Sequence, residues 1–183
     1  MQFEVAGQPI TDSNETAIGM MSAADFIDST GGDDAGMQSS KLSVYFANTS
    51  GDGLVQIPIE ITYDSAMSIE KLVLEQLIEG PYSIDGVEKS KVLPTVPKGT
   101  KLLKVSVKES VCYVDLSKEF LEKDAGVSSE VAIYSVVNSL VELPNINKVR
   151  FSIEGASTAY YNETMVFDEP FERDLDLVEN ILH

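Results

Sequence analysis

Between residues 41 and 155 the apolar residues switch from a two-residue period to a helical one and back, twice, and few folds accommodate that alternation. In "KLSVYFANT", Leu42, Val44 and Phe46 alternate with Ser43, Tyr45 and Ala47, the mark of a half-buried strand beginning at Lys41. "LVQIPIEIT" repeats the pattern, with Val55, Ile57, Ile59 and Ile61 on one face. In "DSAMSIEKLVLEQLIEGP" the period lengthens, and Ile69, Leu72, Val73 and Leu77 form one helical stripe. Strand-like runs return at Val92–Pro94, at Leu103, Val105 and Val107, and at Cys112, Val114 and Leu116. "SSEVAIYSVVNSLVELP" is the second helix, striped by Ile133, Val136, Val137, Leu140 and Leu143, and "KVRFSIEG" turns Val149, Phe151 and Ile153 inward. The order is β-β-α-β-β-β-α-β. Elements with one apolar face each bury those faces best against one another, so the expected class is α+β: two helices packed on one face of a mainly antiparallel or mixed sheet, in two layers.

The punctuation agrees with these elements. Ser65 or Ser68 can cap the first helix and Ser128 or Ser129 the second by accepting a free backbone N–H. Gly80 is expected in the left-handed region just past the first helix, and Pro81 and Pro144 cannot continue a helix. Glu79, an acid at the negative end of the helix dipole, is expected to accept a bond from a neighbouring segment. Pro58 cannot donate to a ladder, which places its strand at an edge or a bulge. Glu109-Ser110 reads as a two-residue hairpin connection without the favoured glycine. "NTSGDG" and Pro97–Thr100 read as turns, "KEFLEKD" as a short helical turn, and "AIGMMSAADFID" as a turn or two of helix. The stretch "ETMVFDEPFERDLDLVENILH" is expected to add a short strand and a C-terminal helix.

The net charge of −17 is carried mostly by the flanks. Residues 1–40 hold seven acids and no Lys or Arg, and residues 160–183 hold seven acids and only Arg173. Residues 41–159 hold sixteen acids and twelve bases. Residues 1–40, with "STGGDDAGMQSS", read as a flexible acidic linker, residues 41–155 as the folded domain, and residues 156–183 as an extension packing on or trailing it. The overall charge argues against nucleic acid or an anionic membrane surface as a partner. No apolar run approaches ~18 residues, so no span is expected, and the first fifteen residues show no signal-peptide pattern.

The chemistry the residues can support is sparse. One cysteine, Cys112, allows no internal disulfide, and the lone histidine, His183, leaves no partner for a serine or cysteine nucleophile. Adjacent Ser117 and Lys118 diverge, and Asp115 and Glu119 read as a strand end and a surface turn. Neither "NTSGDG" nor "TGGDDAG" has calcium-loop spacing. Cys112 is expected to be a buried, inert thiol. No catalytic, cofactor-binding or metal-ligating residue is expected, and no cofactor. Tyr113, on the outward face with Val111, and Tyr160-Tyr161 after the last strand are candidate anchors for a partner.

Several phrases stand in one order: "VYF", "LEQLIEGP", "LPTVPKGTKLLKVSV", "CYVDLSKEF", "SVVNSLVELPNINKVRFSIEG" and "PFER". Together they resemble the GerM domain, named for sporulation and spore germination proteins of Gram-positive bacteria, over about residues 41–155. The resemblance implies a fold similar to ring-building motifs and an extracytoplasmic location, behind a membrane-anchoring lipoprotein leader that this chain lacks. It implies a non-enzymatic interaction domain that assists assembly or stabilisation of a cell-envelope complex, with a protein partner, either a second copy or another ring-building domain. The alternative is an extracytoplasmic module binding cell-wall glycan or a small molecule through the tyrosines.

Overall fold

The computed structural model describes residues 36–122, 126–157 and 167–179. The chain divides between Met37 and Gln38, and the described residues fall almost wholly in the second unit. The second unit, whose boundary falls one residue inside the first strand, is built from β1 (Met37–Ala47), β2 (Leu54–Asp64), α1 (Ile69–Glu79), β3 (Leu102–Lys108), β4 (Val111–Leu116), α2 (Ser129–Val141), β5 (Lys148–Ile153), β6 (Phe171–Glu172) and β7 (Val178–Glu179). The class is α+β, as the alternating periods predict.

The strands form two sheets, ordered β1-β2-β7 and β3-β4-β5-β6, where the sequence suggests one. Gln38–Tyr63, Ser39–Glu60 and Ser43–Gln56 side-chain bonds run in opposite chain directions, so β1 and β2 are an antiparallel hairpin. The larger sheet is mixed: β3 and β6 pair antiparallel to their neighbours, while β4 and β5, joined through α2, are parallel. The expected strand at Val92–Pro94 shrinks to one bridge, in which Leu93 and Ala47 exchange bonds of 2.9 and 3.1 Å. Pro94 has no N–H to extend it.

Helix α1 lies on β3, α2 lies on β5 and β6, and the helices touch each other. Between them and the larger sheet, Leu77, Ile133, Val137, Leu140, Cys112, Val114, Val149 and Phe151 are buried. Phe151 stacks near Phe120 and meets Phe167 and Phe171 at centroid distances of 5.2 and 5.6 Å. The helix caps are Ser68 and Ser128, whose hydroxyls accept the Lys71 and Val131 amides.

Four local expectations are corrected. Strand β1 begins at Met37, ahead of Lys41. Leu103 is exposed, because the β3–β4 register slips between Leu102 and Lys104 and leaves it as the extra residue of a bulge. Gly80 has φ 97° and ψ 175°, outside the left-handed helical region and in backbone space that essentially only glycine enters. The expected C-terminal helix is instead a turn leading into β7 up to Glu179. By contrast, Glu109 and Ser110 form the expected two-residue turn, both at positive φ (52° and 66°). The "AIGMMSAADFID" stretch lies outside the described residues.

Helix α2 is buried on both sides. Beyond its apolar stripe, Ser135, Asn138 and Ser139 are also fully buried. Ser139 Oγ accepts the Tyr45 amide at 2.9 Å, and Ser135 Oγ donates to the Tyr45 carbonyl at 2.5 Å. Two hydroxyls thereby stand in for a missing strand beside β1. Asn138 Nδ2 donates to the Asp174 carbonyl at 2.6 Å, and its Oδ1 accepts the Asp174 amide at 3.0 Å. The segment after β6 is thus held to α2 as a peptide would be held to a ladder. Tyr45, Ala47, Leu54 and Val131 form a second apolar cluster on this side.

Candidate functional site

The helices cover one face of the larger sheet. Strand alternation turns Lys104, Ser106, Lys108, Val111, Tyr113, Asp115, Lys148, Arg150 and Ser152 to the other. Cross-strand register sets them in rows: Lys104–Asp115–Ser152, Ser106–Tyr113–Arg150, and Lys108–Val111–Lys148. Glu172 of β6 extends the last row. Tyr113 sits at the centre, 41% exposed, and no described helix crosses this face.

Four cations and two carboxylates occupy the face, in a chain whose net charge is −17. Asp115 Oδ1 accepts the Ser152 hydroxyl at 2.9 Å and the Gly155 amide at 2.8 Å. Glu172 is 2.8 Å from Lys148 Nζ. Arg150 Nη2 donates to the Asp168 carbonyl at 2.8 Å, which fixes the guanidinium without neutralising it. Lys104 and Lys108 have no ion-pair partner among the described residues. Two shallow hollows flank the Tyr113 ring. One of about 320 Å³ is lined by Lys104, Ser106, Asp115 and Ser152, and one of about 290 Å³ by Arg150, Phe151 and Ser157.

The other candidate residues have structural roles. Burial pushes the Cys112 thiol up to about 12, with the charge of Glu70 adding to the effect. Ser117 Oγ accepts the Lys101 amide at 2.8 Å. The Glu119 carboxyl is held below its ordinary range first by the Ser117 hydroxyl. Asp115 and Glu119 are thus engaged with separate partners. In "NTSGDG", Asn48 Oδ1 accepts the Gly51, Asp52 and Gly53 amides, and Nδ2 donates to Asp52 and to Glu179 of β7. That loop binds itself and the smaller sheet. Glu79 is exposed and has no side-chain partner among the described residues, so the expected bond to a neighbouring segment is absent. Water screens its unfavourable dipole interaction and removes the need for a partner. "TGGDDAG", except Gly36, and Tyr160-Tyr161 lie outside the described residues.

Alternation alone places Tyr113 on this face. Sequence reasoning misses the surrounding cations as a group, because joining Lys104 and Lys108 to Lys148 and Arg150 requires the parallel β4–β5 register. The available signal is the recurrence of Lys or Arg at outward positions of β3 and β5.

The family described as Germane, sporulation and spore germination, matches residues 43–159. The chain belongs to the Germane family. Among solved structures, the tandem GerMN domains of the sporulation protein GerM from Bacillus subtilis align with a TM-score of 0.58 and 23% identity, over 74% of this chain and 46% of that one. The first GerMN domain of the same protein aligns at 0.54 and 19% identity, over 73% of this chain and 98% of that one. A Clostridium perfringens protein described as a candidate lipoprotein aligns at 0.51 and 23% identity, over 73% and 87%. These likenesses establish the fold. The chain spans under half of the tandem protein and nearly all of the single domain, so its aligned part corresponds to one GerMN unit. No curated protein matches the chain. No helix among the described residues is long and apolar enough to cross a membrane.

Proposed function

We propose that this Germane domain is a non-catalytic interaction module of the cell envelope. It assists assembly or stabilisation of a sporulation or germination complex, docking through the outer face of its larger sheet. The observation that carries the reading is the local reversal of charge: Lys104, Lys108, Lys148 and Arg150 ring an exposed tyrosine on an acidic chain. Arg and Tyr at the centre of a patch are common anchors of protein interfaces. The partner it fits is an acidic surface of another envelope domain, either a second copy or another ring-building domain. Family membership and the likeness to a candidate lipoprotein support an extracytoplasmic, membrane-anchored position in the cell envelope. The high thiol pKa of Cys112 and the structural bonds of Ser117 and Asp115 support a role without catalysis.

The test is capture of sporulation-complex ectodomains by the purified domain and by a Lys104→Glu/Lys108→Glu variant. Both side chains are exposed, so the fold should persist while capture falls and the remaining binding depends less steeply on salt. Undiminished capture by the variant, or no envelope partner at all, refutes the reading. The hollows beside Tyr113 favour one alternative, a glycan-binding module. It requires a rise in melting temperature with a muropeptide panel that Tyr113→Ala abolishes.

A further inference from the structure

The smaller sheet has an unfinished edge, away from the basic face. Strand β2 lies between β1 and β7, yet β7 accompanies it only at Leu54 and Val55. The Leu54 amide donates to the Leu177 carbonyl, so even-numbered residues of β2 turn their peptide groups toward this edge. Beyond Val55, the carbonyls of Gln56 and Pro58 and both peptide groups of Glu60 and Thr62 face outward. They have no partner among the described residues. Pro58 sits on this edge, the one position type where its missing N–H costs no ladder bond.

The edge borders a groove. One hollow of about 340 Å³ is lined by the consecutive residues Val55–Pro58 and by Asp85–Glu88. A second, of about 370 Å³, is lined by Pro58–Ile61 and by Gln76 and Ser83–Asp85. Consecutive lining residues place both hollows along the strand edge rather than on a face, and shared Pro58 and Asp85 make them continuous. The floor is apolar, with Ile57, Ile59, Ile61, Ile84 and Val87 packed against the core. The rim is acidic. Glu60 and Asp85 have no cation beside them among the described residues, and the one base, Lys91, is taken by Glu88 at 3.1 Å.

We propose that this groove binds an extended segment of another protein, one that alternates apolar with basic residues and adds as a strand to β2. The Val55–Ile61 edge is about 20 Å long, which matches about seven residues of extended chain. Strand addition draws its affinity from main-chain bonds and its specificity from alternate side chains. Here the apolar side chains would meet the isoleucines, and the basic ones Glu60 and Asp85.

The probe is a capped heptapeptide, Lys-Val-Lys-Val-Lys-Val-Lys, titrated to about 1 mM into isotopically labelled protein while amide shifts are followed. The expected shifts map to Gln56–Thr62 and Ser83–Val92, and Asp85→Lys reduces the affinity at least several-fold. A control peptide with the same side chains and every main-chain nitrogen methylated should bind at least tenfold more weakly, because it offers β2 no donor whichever way the added strand runs. Equal binding of the methylated peptide, or no shifts along β2, overturns the proposal. So does binding that appears only after truncation at Glu179, which would make the chain's own end the occupant. Shifts confined to Lys104–Asp115 and Lys148–Ser152 also overturn it, since they report charge attraction to the basic face, and the reading of that face stands or falls separately.

Discussion

Replacing Asn138 with alanine should loosen the segment after β6 more than its surroundings. The side chain is fully buried and makes two bonds to Asp174, of 2.6 and 3.0 Å. A net hydrogen bond in a protein contributes about 0.5–1.5 kcal/mol, and orphaning a buried group adds to the loss. Asp174 is half-buried, so its freed amide and carbonyl recover part of this by binding water. The expected cost is about 2 kcal/mol, or about 4–8 °C in melting temperature for a chain of this size. Asn138→Asp should cost more at neutral pH, because it keeps the acceptor but sets a buried carboxylate against the Asp174 carbonyl. Thermal and urea melts measure the global effect. Trypsin cleavage after Arg173 reads the local one and should accelerate in the alanine variant beyond what its lower global stability explains. An alanine variant within about 0.5 kcal/mol of the parent, with unchanged cleavage, would refute the idea that Asn138 clamps this segment.

The geometry leads to three more expected outcomes. Gly80→Ala should cost about 1–3 kcal/mol in a urea melt, although its nearest new contact, Pro94 Cβ, lies an ordinary 3.6 Å away; the penalty comes from φ 97° and ψ 175° alone. Ser110→Gly should stabilise the protein by up to about 1 kcal/mol by relieving one of the two positive-φ residues of the β3–β4 turn, and a loss of stability would show that this turn carries no strain. Cys112 should resist thiol reagents at pH 8 until the protein unfolds. Its folded pKa of about 12 lies above the ordinary 9.0, so stability should be intact below about pH 9 and decline as pH rises toward 12, less steeply in Cys112→Ala.

Local pattern carries much of the fold into view. The inward sets Val44/Phe46, Cys112/Val114/Leu116 and Val149/Phe151/Ile153 all follow from two-residue alternation, and all are buried. What escapes depends on partners remote in the chain. The helical stripe of α2 leaves Ser135, Asn138 and Ser139 unassigned, because the groups that satisfy them, on Tyr45 and Asp174, lie 90, 36 and 94 residues away. Alternation misplaces Leu103 because a bulge adds one residue and inverts the parity that the pattern assumes. The division into two sheets is hidden for a related reason: one bridge at Leu93 looks, in sequence, like a short strand. Of the candidate site, Tyr113 is legible from its own strand. Lys148 and Arg150 join Lys104 and Lys108 around it only through a pairing that spans a whole helix.

The two-sided burial of α2 has a consequence for motion. Nine of its thirteen residues are buried, among apolar neighbours on one side and hydroxyl and amide partners on the other. An amide in the middle of such a helix exchanges with solvent only when both sheets part from it, an event close to complete unfolding. The hairpin, through Tyr45, and the segment leading to β7, through Asp174, are both bonded to this helix. The unit from Gln38 onward should therefore open as one, with α2 its last element to exchange, and the faces proposed to meet partners should be presented rigidly.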